Sequence, residues 1–177
     1  NCILSMRLVV QRVSRATVSS EGEPLRSIGQ GICALVGLSK HDTHDDLKKM
    51  ANKLLTLRIF SNPEDDRKWD KSVKDMDYEI LLISQFTLQA VLKGNKPDFH
   101  AAMEHGRAKD MFENFVSIAC ASYNAEKIQT GYFGCYMSLQ LNNSGPVTIV
   151  LDSNEKKYTK IYKNGGSTFP INFIDSY

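Results

Sequence analysis

The stretch YEILLISQFTLQA, residues 78–90, carries the strongest strand signal in the chain. It is dominated by isoleucine, leucine and aromatic side chains and contains neither glycine nor proline, so it predicts a buried strand. Towards its end Gln85 and Thr87 alternate with Ser84, Phe86 and Leu88, which a strand would direct to opposite faces. Two polar side chains on one face of a buried strand are costly unless paired. The segment SQFTL therefore indicates either a half-exposed strand end or a small polar site.

Further strands are predicted on both sides of this one. GICALVGLS, residues 31–39, is almost wholly apolar and predicts a buried central strand. Shorter strands are predicted for MRLVVQRV, RATVSS, LRIF, GYFGCYMSLQL and VTIVLD, at residues 6–13, 15–20, 57–60, 131–141 and 147–152. Turns or loops are predicted for EGEP, SNPEDDRKWDKS and LKGNKPDF, at residues 21–24, 61–72 and 92–99.

Two helices are predicted between the strands. The first begins near Asp42 or Thr43, with Asp46 placed for a capping box with Thr43. Apolar residues then recur at helical spacing at Leu47, Met50, Ala51, Leu54 and Leu55. The second helix is predicted within residues 101–123, with an apolar stripe at Met111, Phe112, Phe115 and Ala119. Because strands do not alternate regularly with helices, the pattern favours an α+β fold. It predicts a bent, antiparallel-rich sheet or barrel-like core with two helices packed outside.

Length and composition fit one domain. The chain has 177 residues, of which 42% are hydrophobic, enough for one substantial core. We expect the domain to span residues 6–152, with residues 1–5 an N-terminal extension before Met6 and residues 153–177 a loosely ordered tail. No internal repeat or linker indicates a second domain.

Charge and cysteine content exclude several classes. The net charge of +2 gives no strong global field for a polyanion or a membrane surface. The four cysteines form no CxxC pair and have no zinc-finger spacing, so reduced, structural thiols in an intracellular compartment are expected. No stretch approaches the roughly 20 apolar residues of a membrane span.

Familiar catalytic patterns are missing. No histidine stands in a nucleophile-elbow or triad context with Ser84 or Thr87. The segment HDTH places His41 and His44 three residues apart across a helix cap, which favours a solvated helix start over a metal site, and no HExxH or P-loop occurs. No cofactor or metal is expected.

Some basic and apolar residues suggest binding. Lys93 and Lys96 lie on the loop just after SQFTL, and Arg12 comes from the first strand; such groups can bind phosphates, although solvated side chains are the ordinary alternative. Phe133, Tyr136 and Met137 can line an apolar slot or belong to the core.

Gly145-Pro146 forms a rigid corner one residue before the last predicted strand. Proline cannot donate to a sheet ladder, and a Gly-Pro bond can adopt the cis form. The corner is either a simple turn or a way of presenting backbone carbonyls outside the chain.

Together these motifs resemble one family, the D-aminoacyl-tRNA deacylases. The resemblance rests, in order, on MRLVVQRVSRATV, SQFTL, KGNKPDFH, GYFGCYM and NNSGPVTI, and spans about residues 6–151. SQFTL followed by a downstream GPVT is its most specific part. The tail beyond Asp152 matches nothing in the family.

The resemblance implies an activity and an assembly. Family members remove D-amino acids, and also mischarged glycine, from tRNA by hydrolysing the ester at the terminal adenosine. They form homodimers with active sites at the subunit interface, and each subunit inserts a cis Gly-Pro corner into its partner's pocket. By that resemblance the carbonyls of Gly145 and Pro146 would reject L-substrates, whose side chain would press into them.

The resemblance also assigns residues. Ser84, Gln85, Phe86 and Thr87 would line the adenosine and ester end, with backbone N–H groups of Phe86 and Thr87 stabilising the oxyanion. Arg12, Phe133 and Met137 would close the pocket. Independently of the resemblance, the basic loop predicts that Lys93 and Lys96 contact tRNA phosphates. Since no base adjoins Thr87 in sequence, we expect the 2′-hydroxyl of the tRNA, not a side chain, to assist water. The expected compartment is the cytoplasm.

Two other functions stay open from the residues. One is a non-catalytic nucleic-acid-binding factor associated with DNA replication origins, a description given to some relatives. The other is an ordinary Ser/Thr hydrolase acting on a small ester, which requires a histidine near Thr87.

Overall fold

The computed structural model describes residues 4–154 of the 177-residue chain. The expected tail at residues 153–177 lies outside the described part except for Ser153 and Asn154. Two α-helices, α1 and α2, span His44–Thr56 and His105–Ser122. The strands β1 to β8 are Arg7–Ser19, Arg26–Ile28, Gly31–Gly37, Glu79–Ser84, Val91–Lys93, Lys96–Asp98, Ile128–Thr130 and Ser138–Asp152. Short 3₁₀ helices occupy Phe86–Gln89 and Ala125–Lys127.

A mixed six-stranded sheet organises the domain around β1. Strand β1 pairs antiparallel with β2 and β3 along one edge and with β8 along the other, and the parallel strands β4 and β7 extend the sheet beyond β3. The remaining strands, β5 and β6, form a separate antiparallel hairpin. The result is the expected α+β fold with a barrel-like sheet and two helices.

The sheet is buried on both faces, which explains its long apolar runs. On one face Ile32 and Ile80 pack against α1 and α2 around the fully buried Phe115. On the other face Cys33 and Leu81 join a second cluster. Alternate residues of β3 and β4 therefore enter different cores, as the period of two requires.

The helices follow their local signals. Thr43 caps α1 and its hydroxyl oxygen accepts a hydrogen bond from the N–H of Asp46 at 3.4 Å, while the carboxylate of Asp46 accepts from the N–H of Thr43 at 2.9 Å. The expected capping box is thus confirmed. The apolar stripes of both helices are buried, as predicted.

The predicted strand at residues 78–90 is too long. Strand β4 ends at Ser84, and the chain turns into a 3₁₀ helix at Phe86. The turn is held by Gln89, whose buried amide donates to the carbonyls of Ser5 and Gly37, both at 2.9 Å. The strand-type alternation expected for Ser84 to Leu88 is therefore wrong.

The two strands predicted near the start are one. Strand β1 runs without a break from Arg7 to Ser19, and its pairing with β8 shifts between Gln11 and Arg15 instead of stopping. A bulge, in place of a chain reversal, accommodates the polar residues Ser14 and Arg15, which are exposed there.

Three other predictions need correction, and one strand was missed. LRIF forms no strand and contributes only a bridge between Phe60 and Lys71. The segment at residues 92–99 is a hairpin, since the Gly94-Asn95 turn lets β5 pair with β6. Residues 131–137 form a loop, and β8 begins only at Ser138 and continues through Gly145-Pro146. The short β2 escaped prediction because only three residues pair.

The described part of the predicted N-terminal extension, Leu4 and Ser5, contacts the domain. The hydroxyl of Ser39 donates to the carbonyl of Leu4 at 2.8 Å, and Ser5 is buried beside Asp152. Within residues 4–154 no helix is long and apolar enough to cross a membrane.

Candidate active site

A cavity of about 870 Å³ opens beside the end of β4. Its floor is the end of β4 and the 3₁₀ helix; its walls are the segment leading into α2 and the loop between β7 and β8. Polar lining residues are Lys40, Ser84, Gln85, His100, Glu104 and His105. Aromatic and sulfur-containing lining residues are Phe86, Phe99, Met103, Phe133, Cys135, Tyr136 and Met137. This volume is within the range of small-molecule sites.

The first three residues of SQFTL, Ser84 to Phe86, form the floor. Gln85 is fixed by its backbone N–H, which donates to Val36 O at 2.8 Å, and its side-chain amide donates to Thr87 Oγ1 at 2.5 Å. Ser84, Gln85 and Phe86 line the cavity, whereas the exposed Thr87 does not. The first N–H groups of the 3₁₀ helix, those of Phe86 and Thr87, have no partner within the helix, as at any helix start.

Aromatic and sulfur contacts hold the opposite wall. The ring of Phe133 packs against His105 and Phe112, at centroid distances of 5.3 and 5.9 Å. The Sδ atom of Met137 accepts a hydrogen bond from the N–H of Tyr132 at 3.2 Å. A side chain at Gly131 would collide with this sulfur, since its Cβ would lie 2.8 Å away. The wall therefore has a defined shape without ligand.

The β5–β6 hairpin carries the two predicted phosphate-binding lysines next to the cavity. Lys93 pairs with Asp98, which also contacts Nδ1 of the cavity-lining His100. Hydrogen bonds from Lys93 and His100 hold the pKa of Asp98 well below its usual range, so it is a carboxylate at neutral pH. Lys96 is exposed. Asp98 thus offsets part of the positive charge that the sequence suggested.

Within a single chain, the large cavity is not lined by three of the predicted site residues, Arg12, Gly145 and Pro146. Arg12 lines a second, more polar cavity of about 350 Å³ together with Ser144, Asn62 and Tyr78, among others. Gly145 and Pro146 are exposed on β8, and the bond between them is cis, as predicted. One chain therefore brings Ser84, Gln85, Phe86, Phe133 and Met137 together, but not the other predicted pocket residues.

In the part of the chain that the structure describes, no conventional acid-base pair is assembled around Thr87. The two histidines of the cavity have other contacts: His100 with Asp98 and His105 with Phe133. Burial raises the pKa of the Cys33 thiol to about 12, which keeps it protonated. Within residues 4–154 no group of three or more metal-ligating side chains comes together. Among the described residues, Cys33, Cys120 and Cys135 are free thiols.

Several lining residues were not assigned from the sequence. Lys40, Glu104 and His105 come from segments with no motif of their own, and only their three-dimensional proximity reveals them. His100 directly follows the LKGNKPDF segment, so its closeness in sequence to Lys93 could have indicated that it lies near the site.

Comparison with known proteins identifies relatives along most of the chain. Residues 9–152 match the family model described as D-Tyr-tRNA(Tyr) deacylase. The chain is 50% identical over 148 residues to D-aminoacyl-tRNA deacylase 1 of Homo sapiens, a match covering 84% of this chain and 70% of that protein. It is 46% identical over 151 residues to D-aminoacyl-tRNA deacylase of Dictyostelium discoideum, covering 85% and 100%.

A solved structure has the same fold. The structure described as c-Myc DNA Unwinding Element Binding Protein superposes with a TM-score of 0.79 at 49% identity, covering 82% of this chain and 97% of that chain. The family match, the relatives and the shared fold agree over the same residues. The chain therefore belongs to the D-Tyr-tRNA(Tyr) deacylase family and is an enzyme, a deacylase of the hydrolase class.

Proposed function

We propose that the protein hydrolyses the ester bond of D-aminoacyl-tRNA and releases the free amino acid and tRNA. We propose the same reaction for glycine that has been mischarged onto tRNA-Ala. The observation that carries the proposal is the cavity itself. The floor offers the polar side chains of Ser84 and Gln85 where the 3₁₀ helix begins, and the aromatic wall offers apolar surface for a base or an amino-acid side chain. Such a site suits an ester joined to a nucleoside.

In this proposal no side chain acts as the nucleophile or the general base of the chemical step. Water adds to the ester carbonyl carbon, and N–H groups of Phe86 and Thr87 stabilise the oxyanion. The ester C–O bond then breaks, and the ribose oxygen leaves as a hydroxyl. The vicinal 2′-hydroxyl of the terminal ribose relays the proton from water to the leaving oxygen. Positioning by the cavity supplies much of the rate.

Selection against L-substrates is assigned to Gly145 and Pro146 of a second subunit. Two features support this assignment: both residues are exposed, and neither lines the large cavity of its own chain. In a two-fold homodimer the β8 backbone of one chain would enter the cavity of the other. Carbonyl oxygens there leave room for hydrogen at the α-carbon and exclude an L-side chain.

Binding of the tRNA body is assigned to the hairpin. Lys93 and Lys96 extend from its turn beside the cavity and would contact phosphates, in the cytoplasm, where aminoacyl-tRNAs are used.

One assay tests the proposal. Purified protein is incubated with D-tyrosyl-tRNA and with L-tyrosyl-tRNA, and release of tyrosine is followed over time. We expect rapid release from the D-substrate and almost none from the L-substrate. Equal rates would contradict the selection, and no release from either would contradict the function.

A second candidate is a non-catalytic DNA-binding role. It is favoured by one observation, the description of the similar solved structure as a DNA unwinding element binding protein. Titration of a fluorescent AT-rich duplex tests it. Binding that persists in a Gln85→Ala variant lacking hydrolysis would support a separate DNA function.

A further inference from the structure

We propose that the mouth of the large cavity is a subsite for the nucleotide that precedes the terminal adenosine, with Tyr136 stacking on its base and Lys40 contacting its phosphate. The inference rests on the proposed function, because it extends the same substrate by one residue of its unpaired 3′ end.

Tyr136 is the first observation. Its side chain is 96% exposed, the largest exposed fraction among the large apolar residues of the described part. It nevertheless lines the cavity and does not stand on a remote surface. Large aromatic rings that face water at the edge of a binding cavity favour a planar partner.

The backbone beneath Tyr136 is held in place. Its carbonyl accepts a hydrogen bond from the Ser20 hydroxyl at 2.9 Å. The preceding turn is closed by a hydrogen bond from the N–H of Cys135 to Tyr132 O at 3.2 Å. The exposed ring is therefore carried on a fixed backbone, at a position where an unpaired base can stack on it.

Lys40 supplies the charge. Its N–H donates to Ala101 O at 3.0 Å and its carbonyl accepts from Arg107 Nη1 at 2.9 Å, so the backbone is fixed while the side chain stays exposed at the cavity. Among residues 4–154 no carboxylate forms an ion pair with Lys40, unlike Lys93. A lysine and an exposed ring that line one cavity are the kinds of group that single-stranded nucleic acids bind.

The acidic groups near the cavity have partners of their own. Glu104 lines the cavity, but both its carboxylate oxygens accept N–H bonds at the start of α2, from Gly106 at 2.9 Å and Arg107 at 3.1 Å. Those bonds direct the carboxylate towards its own helix. Asp98 is held by Lys93 and His100.

Two substrates of different length separate the subsite from the rest of the site. The value of kcat/KM is measured for D-tyrosyl-adenosine and for the D-tyrosylated trinucleotide CpCpA. We expect the wild-type protein to prefer the trinucleotide. In Tyr136→Ala the preference should fall roughly ten- to a hundredfold, the loss typical of one stacked base. Tyr136→Phe should retain the preference, since its ring also stacks.

Controls and salt dependence complete the test. Trp69→Ala removes another exposed aromatic side chain, one that does not line the cavity, and should leave the preference unchanged. Lys40→Gln should make the logarithmic salt dependence of trinucleotide hydrolysis shallower by about 0.7, as for one lost phosphate contact.

The failures of the two proposals are distinguishable. A protein that hydrolyses neither substrate contradicts the proposed function. Binding of unesterified CpCpA and of adenosine, measured by calorimetry, then still tests the subsite by comparing wild type with Tyr136→Ala. An unchanged preference in Tyr136→Ala, or a Tyr136→Ala protein that dissociates into monomers, overturns the inference, because Tyr136 would then serve another contact.

Discussion

Arg12 holds the β8 backbone immediately before Gly145, since its Nε donates to the carbonyl of Ser144 at 3.0 Å. Its Nη1 donates to Ile59 O at 2.5 Å, so one guanidinium ties β8 to the end of the Leu57–Phe60 segment. The contact lies where the register between β1 and β8 shifts. Between the pairs Gln11–Thr148 and Val13–Asn143, β1 has one residue, Arg12, whereas β8 has four. Arg12 thus fixes the irregular part of β8 that carries the proposed filter.

Arg12→Lys tests this support. A single ammonium cannot reach two divergent carbonyls in the way that a planar guanidinium does. We expect the unfolding free energy to fall by about 1–3 kcal/mol, in the range of one charge-assisted hydrogen bond. The ratio of D- to L-tyrosyl-tRNA hydrolysis should fall as well. Arg15→Lys, at an exposed position of the same strand, is the control. A destabilised variant with unaltered selectivity would separate Arg12 from the filter.

Gly145→Ala tests the backbone at the filter. Gly145 has φ +125°, and an added Cβ would lie 3.0 Å from Val147 Cγ2 and 3.1 Å from Arg12 Nη2. We expect hydrolysis of D-tyrosyl-tRNA to fall at least tenfold, beyond a stability loss of about 1–3 kcal/mol from strain.

Gly22→Ala is the matched control for backbone strain. Gly22 also has positive φ, at +76°, but no atom of residues 4–154 lies within 4 Å of its added Cβ. This variant should lose stability but keep its activity. Equal activity losses in both variants would indicate general destabilisation in place of a local role.

Local signals predicted part of this molecule well. The start of α1 was predicted from residues next to each other in the sequence, namely the Thr43–Asp46 capping box and the apolar stripe that begins at Leu47. The buried runs of β3 and β4 were equally clear. These features depend on neighbours along the chain.

Other features depend on distant residues. The end of β4 is set by Gln89, which binds backbone 52 and 84 residues away in sequence, and no local pattern records that. Strand β8 passes through Pro146 because it pairs only with β1 among the described strands, so a missing N–H is tolerated there. Likewise, only the fold brings Lys40, His105 and Tyr136 to one cavity.

Thr87→Ala distinguishes RNA-assisted hydrolysis from a hydroxyl nucleophile. The Thr87 hydroxyl is exposed and accepts the Gln85 amide at 2.5 Å, with no histidine in contact. We expect the variant to keep D-tyrosyl-tRNA hydrolysis within about tenfold of wild type, whereas a substrate with a 2′-deoxy terminal ribose should lose several hundredfold. An inactive variant together with rapid turnover of the deoxy substrate would require the opposite mechanism.

Thiol alkylation should reach the cavity selectively. Cys135 is exposed and lines the cavity, whereas Cys33 is buried, with its pKa raised to about 12. Because the thiolate is the nucleophile, N-ethylmaleimide at pH 7.5 should modify Cys135 and leave Cys33 intact until the protein unfolds. Hydrolysis should fall as Cys135 reacts, and Cys135→Ser should resist. Mass spectrometry of peptides checks the sites, and full activity after complete modification of Cys135 would remove it from the substrate path.

Subunit mixing tests whether the filter acts across an interface. If Gly145 of one chain serves the cavity of the other, a heterodimer of Gly145→Ala and Phe133→Ala chains has one site with both parts intact. Random pairing of equal amounts should therefore recover about a quarter of wild-type activity, although each variant alone is nearly inactive. A mixture of Phe133→Ala with Gln85→Ala provides the control, because both changes lie in the same cavity and no pairing restores an intact site. Light scattering should show a dimer in every sample. If subunits exchange but the first mixture recovers no activity, Gly145 acts within its own chain. A fully active monomer would exclude a site shared between subunits.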